Sequence, residues 1–147
     1  MTGAVHTSID SDLRNVWPIG LLVRAVAKEL GFPSRDAHLL ELAVVEAVNN
    51  TIQHAYGCQP GRRVDFSLEA TPQALIMEIA DDGAPILQNI LRQVANPAVA
   101  PKDATEAECG RGLTIIGRVM DDFSYSGKSG RNSILMRKNL PTESKAE

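Results

Sequence analysis

The stretch LLELAVVEAVNNTIQHAYG, residues 39–57, decides how this chain is read. At about 100° per residue, Glu46, Asn50 and Gln53 fall on one face of a helix, with Val44, Val48 and Ala55 opposite. The spacing predicts a helix with an apolar side for a core and a polar stripe on which a carboxylate and an amide stand one turn apart. An E-x-x-x-N pair alone describes many solvated helices, so its meaning depends on its surroundings. Gly57 supplies a usual helix stop and Ser34 or Asp36 a cap at the other end. His54, in the last turn, is assigned to the helix dipole ahead of any catalytic role.

Upstream, Gly31 and Pro33 separate this helix from an earlier one. There Pro18 suits the first turn, and Leu21, Leu22, Ala25, Val26 and Leu30 recur at helical spacing. Its Arg24 and Lys28 form a solvated face that is also an available partner surface. Residues 4–9 alternate as a short strand. Downstream, residues 62–70 turn Val64, Phe66 and Leu68 inward, and residues 74–80 make a more apolar strand. The tight Thr71-Pro72-Gln73 connection makes the two an antiparallel hairpin. The second strand runs straight into Asp81-Asp82-Gly83. Over 84–109 the periodicity dissolves among Pro85, Pro97, Pro101 and mixed charges, with a short helix at 86–94. Such a loop in a compact domain is usually a functional lid or a disordered segment. Gly110-Arg111-Gly112-Leu113 then opens a third helix, followed by the closing strands FSYSG and SILMRK and a tail, 141–147, expected to be disordered.

At 147 residues the chain has the size of one domain. Its 44% hydrophobic and 22% charged residues are ordinary for a globular protein, and no apolar run is long enough to span a bilayer. No membrane association is expected, and without a basic start and apolar run the chain is expected in the cytoplasm. Cys58 and Cys109 lack a ligand pattern and read as reduced bystanders rather than a zinc site or disulfide framework. A net charge of −3 with no concentrated basic face argues against direct nucleic-acid binding.

Three local signals occur in order, and each has a use in one kind of site. A carboxylate at a strand end, Asp81, can accept a hydrogen bond from the exocyclic amine of adenine, and Gly83 lets the backbone approach the ring. Gly110 and Gly112 bare backbone N–H groups at a helix start, where a polyphosphate is bound by oriented donors and the helix dipole. Asn50 offers a neutral hard oxygen, sufficient for a Mg2+ ion that keeps several waters and is otherwise held by phosphates. Glu46, one turn earlier, then faces the γ-phosphate side as a general base for an attacking hydroxyl or water.

In that order the segments VVEAVNNTIQHAYG, IADDGAPI and ECGRGLTIIGRVMDD resemble the N, G1 and G2 boxes of the GHKL ATP-binding superfamily. Within it, nearly the whole chain is similar to the anti-sigma-factor serine kinases of bacterial partner-switching systems, the RsbW and SpoIIAB type. The resemblance implies an α/β two-layer sandwich of the Bergerat type: a mixed, mainly antiparallel sheet with three helices on one face and an ATP lid at about 84–109, all in a single domain over 1–147. It implies ATP and Mg2+ as cofactors, Glu46 as catalytic base, Asn50 as magnesium ligand, and Asp81 with Gly83 at the adenine. It further implies Gly110, Arg111, Gly112 and Leu113 at the phosphates and Ser133 near the adenine.

The implied activity is phosphorylation of a serine or threonine on an anti-anti-sigma protein of the STAS type, coupled to sequestration of a sigma factor by a homodimer. None of His6, His38 or His54 sits in a phosphoacceptor helix ahead of an ATP domain, which disfavours a sensor histidine kinase. Pro85 departs from the D-x-G-x-G of many members, a change that bears on lid mobility. The alternative, from another class, is a non-catalytic nucleotide-binding scaffold controlling a partner other than a sigma factor. An intact Glu46 favours the kinase.

Overall fold

The computed structural model describes residues 1–86, 88–96, 98 and 100–142. Its elements run β1 (Gly3–Asp10), α1 (Val16–Glu29), α2 (Ser34–Asn50), β2 (Arg63–Ala70), β3 (Ala74–Asp81), α3 (Gln88–Ala95), α4 (Ala104–Val119), β4 (Asp122–Lys128) and β5 (Arg131–Asn139). The five strands lie in the order β1-β2-β3-β5-β4, and every neighbouring pair is antiparallel. The sheet is therefore wholly antiparallel, where the resemblance had implied a mixed, mainly antiparallel one. The crossover from β3 lands on β4, two places away, and the hairpin partner β5 fills the gap between them. Strands β3 and β4 run parallel but never touch.

Alternation builds the two layers. Val64, Phe66, Leu68, Leu75, Met77, Ile79, Ile134 and Met136 point to one face and are buried with Val23, Ala27, Leu40, Val44, Val48 and Ile116 of the helices. Each large side chain so buried contributes about 1.5–3 kcal/mol. The other face carries Asp65, Ser67, Glu78, Arg131 and Arg137 and bears no helix, so the helices form a single layer as expected. Among the described residues no helix is long and apolar enough to cross a membrane.

Three boundaries differ from expectation, each for a local reason. Helix α2 starts at Ser34 with Pro33 in the N-cap position, so neither Ser34 nor Asp36 makes a side-chain cap bond there. Its regular part ends at Asn50 and continues as a π-helical turn, Thr51–Ala55, before Gly57 and Cys58 enter the left-handed region at φ of 58° and 62°. A π-turn adds a residue to the helix and redirects its last carbonyls, a distortion common beside functional sites. Helix α4 begins at Ala104, ahead of the paired glycines, because Asp103 caps it by accepting a hydrogen bond from the Glu106 amide at 2.9 Å. Most of the expected lid is thus α3, α4 and the segment joining them. The tail expectation over 141–147 lies, from residue 143 onward, outside the described residues.

Candidate nucleotide-binding site

Strand β3 delivers Asp81 to the edge of the helical layer, where it is only 6% exposed. Its Oδ1 accepts from the Gly83 amide at 2.8 Å and from Asn132 Nδ2 at 2.8 Å, and the same Nδ2 donates to the Gly83 carbonyl at 2.9 Å. Among the described residues Oδ2 has no hydrogen-bond partner, which leaves one carboxylate oxygen for an incoming donor. Burial pushes the carboxyl above the usual range, and the Asn132 and Gly83 hydrogen bonds oppose that shift.

The turn after Asp81 is fixed on several sides. A Cβ on Gly83 would run into the Ala55 carbonyl oxygen and lie 2.7 Å from the Ala55 carbonyl carbon and Cβ, so only glycine fits. The Ala84 amide donates to that same Ala55 oxygen at 3.0 Å, a contact supplied by the π-turn. The Tyr56 hydroxyl accepts from the Asp82 amide at 3.0 Å and donates to the Arg63 carbonyl at 2.6 Å. The Tyr125 hydroxyl accepts from the Ile86 amide at 2.8 Å.

Ser133 is not part of this arrangement. It pairs with Ala80 in the β3–β5 register, and alternation turns it to the open face of the sheet, whereas Asn132 pairs with Asp81 on the helical face. The residue beside it on the same strand, Asn132, is the one that meets Asp81. Asn132, Tyr56 and Tyr125 were missed. Strand parity opposite Asp81 would have identified Asn132, but the tyrosines carry no local signal because their partners are backbone amides distant in sequence.

At the other end, Glu46 and Asn50 share the α2 face packed against α4. A Cβ on Gly112 would lie 3.0 Å from Glu46 Oε2, 2.9 Å from Asn50 Nδ2 and 3.3 Å from Asn50 Oδ1. Glu46, Asn50 and Gly112 are therefore together, but Gly110 and Gly112 lie inside α4 rather than at its start. Their amides belong to a helical ladder and are not bared. Asn50 is 3% exposed, and its Nδ2 has no hydrogen-bond partner, so a polar group faces α4 unsatisfied. Leu113 is buried in the core. Arg111 is exposed and lines a shallow groove with Thr114, Ile115 and Arg118, away from the pair. Burial holds the half-buried His54 imidazole below its usual pKa, opposed by the charges of Glu108 and Asp103 at the start of α4, so His54 faces α4. A more apolar hollow of about 660 Å³ lies between β1 and α1, lined by Val5, Val26 and Leu30 with Lys28 and Glu29 at its wall.

The polar groups fit a nucleotide: a carboxylate oxygen free for an amine at one end, and at the other the Asn50 Nδ2 donor, which lacks an acceptor such as a phosphate oxygen, beside the Glu46 carboxylate and the Asn50 Oδ1, a hard oxygen of the type a divalent cation takes. A sheet covered on one face by helices, with these groups at the end of β3 and along α2, has the architecture of histidine kinase-like ATPase domains. The profile of the histidine kinase-like ATPase domain matches residues 9–138, and the chain belongs to that family. It is similar to serine-protein kinase RsbW of Bacillus cereus, 32% identical over 141 residues that cover 95% of this chain and 86% of the relative. The RsbW of Bacillus thuringiensis is 31% identical over the same shares. Among solved structures, the catalytic domain of histidine kinase ThkA in a nucleotide-free form superposes with a TM-score of 0.56 over 95% of this chain and 99% of that one; at 11% identity this is a likeness of fold.

Proposed function

We propose that this chain is an ATP-dependent serine/threonine protein kinase and anti-sigma factor of a bacterial partner-switching system. The observation that carries the proposal is the Glu46–Asn50 pair, one turn apart and facing the paired glycines, in a chain similar over 95% of its length to proteins named serine-protein kinases. Asp81 would accept the adenine amine through Oδ2. Asn50 would hold Mg2+, which when bound neutralises phosphate charge. Glu46 would take the proton from the acceptor hydroxyl as its oxygen bonds the γ-phosphorus and ADP leaves. Amides of 110–113 would bind the phosphates once released from the α4 ladder that holds them in this conformation, with Arg111 brought beside them by the same change.

The phosphoacceptor in this proposal is a STAS-type anti-anti-sigma protein. The competing partner is a sigma factor, and the kinase acts as a homodimer in the cytoplasm. The chain would be captured with its partners from its own organism under magnesium-ATP and magnesium-ADP, and phosphosites mapped by mass spectrometry. The expected outcome is nucleotide-dependent exchange between a sigma factor and a small serine-phosphorylated protein. With that protein as substrate, Glu46→Gln retains nucleotide binding and loses transfer about 10²–10⁴-fold, and Asn50→Ala loses magnesium-dependent binding. A nucleotide-dependent partner without a phosphosite or sigma factor establishes the scaffold alternative instead, and undiminished transfer by Glu46→Gln removes the base assignment.

A further inference from the structure

Helix α4 carries Gly110 and Gly112 in its interior, where glycine is the least favourable residue short of proline. Both are seated closely. A Cβ on Gly112 would crowd Glu46 and Asn50, and one on Gly110 would come 2.9 Å from Gln93 Oε1 of α3. Beneath Gly112 lies the partnerless Asn50 Nδ2, the one such buried side-chain atom among the described residues. The helix is held in place at its start. Asp103 accepts from the Glu106 amide at 2.9 Å, and the buried Glu106 carboxylate accepts from the Lys102 amide at 2.8 Å and from Gln93 Nε2 at 3.4 Å.

We propose that the first half of α4, residues 104–112, is an autoinhibitory plug: as a helix it covers the Glu46–Asn50 pair and occupies its own amides, and a nucleotide polyphosphate binds after this half unwinds to the glycines. The proposal rests on the nucleotide-binding function above. Two interior glycines weaken the helix where it must open, while the Asp103 cap and the Glu106 contacts at its start favour the closed form. The apparent affinity for nucleotide is then reduced by the fraction of molecules that are closed. Weakening the cap must tighten nucleotide binding, the opposite of what loss of a ligand contact does. Because Asp103 is also an anion, the charge effect is separated by Asp103→Asn, which removes the charge and keeps a good cap.

The test uses the full chain with magnesium-ADP, read by equilibrium binding and by amide hydrogen exchange. Saturating ADP should speed exchange over 104–110 while slowing it over 81–86. Asp103→Ala should speed exchange over 104–110 without nucleotide and bind ADP about five-fold more tightly. Asp103→Asn should match the wild type. The plug is overturned if ADP binds and protects 104–110, or if Asp103→Ala binds no more tightly than Asp103→Asn. Absence of binding and protection in all three proteins would instead remove the nucleotide site itself, and the plug with it, so the two failures are told apart.

Discussion

At the Asp81 end, a carboxylate, a backbone turn and an amide from a neighbouring strand hold one another, and two tyrosine hydroxyls secure the turn from outside. At the Glu46 end, the corresponding polar groups face a helix of their own chain and one of them lacks a partner. The first end is locked by its own hydrogen bonds and the second is covered by α4. A site of this kind can present one part of a ligand pocket rigidly and leave the other to depend on a conformational equilibrium.

The largest effect separating the two ends should come from a single methyl group. Gly83→Ala forces a Cβ into the backbone of Ala55, which cannot yield as a side-chain end can, and should destabilise the fold by about 2–3 kcal/mol. The thermal midpoint should fall by about 5–10 °C. An unchanged midpoint would show that the Asp81 end is not rigid. Next, Asn132→Ala removes two hydrogen bonds from a buried cluster and should cost about 2 kcal/mol in chemical denaturation, with Asn132→Ser, which keeps a donor, recovering part of it. Equal losses in both variants would assign Asn132 to packing alone.

The same Gly→Ala change at position 112 meets only the movable ends of Glu46 and Asn50, and the gain in helix propensity offsets the crowding. Its stability should stay within about 1 kcal/mol of wild type, and a loss as large as that at Gly83 would abolish the contrast. The smallest effect is in pH. Burial raises the Asp81 carboxyl, so folding is favoured by this group at low pH and that contribution is lost as pH rises through the raised value. Binding runs in the opposite sense: adenine-nucleotide affinity should decline as pH falls through the raised Asp81 value, while an inosine nucleotide, lacking the amine, should be indifferent. Parallel profiles would exclude Asp81 as the amine acceptor.

Much of this was legible locally. Glu46 and Asn50 follow from helical spacing, the hairpin from alternation, and Asp81 from its position at the end of an apolar strand. The start of α4 was placed too late, at Gly110, because Pro97, Pro101 and the mixed charges gave residues 84–109 the appearance of a loop and hid the capping relation of Asp103 to Glu106. Asn132 shares the parity of Ile134 and Met136 and so reads as inward-facing, whereas its pairing with Asp81 required the register of β5 on β3.

The sequence by itself determined the two layers, the order of the motifs and the residue types that meet at the site, because helical and strand periodicities and strand-end positions are local properties. Only the tertiary structure decided that the sheet is wholly antiparallel, that Asn132 holds Asp81, that a π-turn seats Gly83 on Ala55, and that Gly112 lies over Asn50. Those outcomes depend on distances between segments far apart in the chain, set by how the core packs.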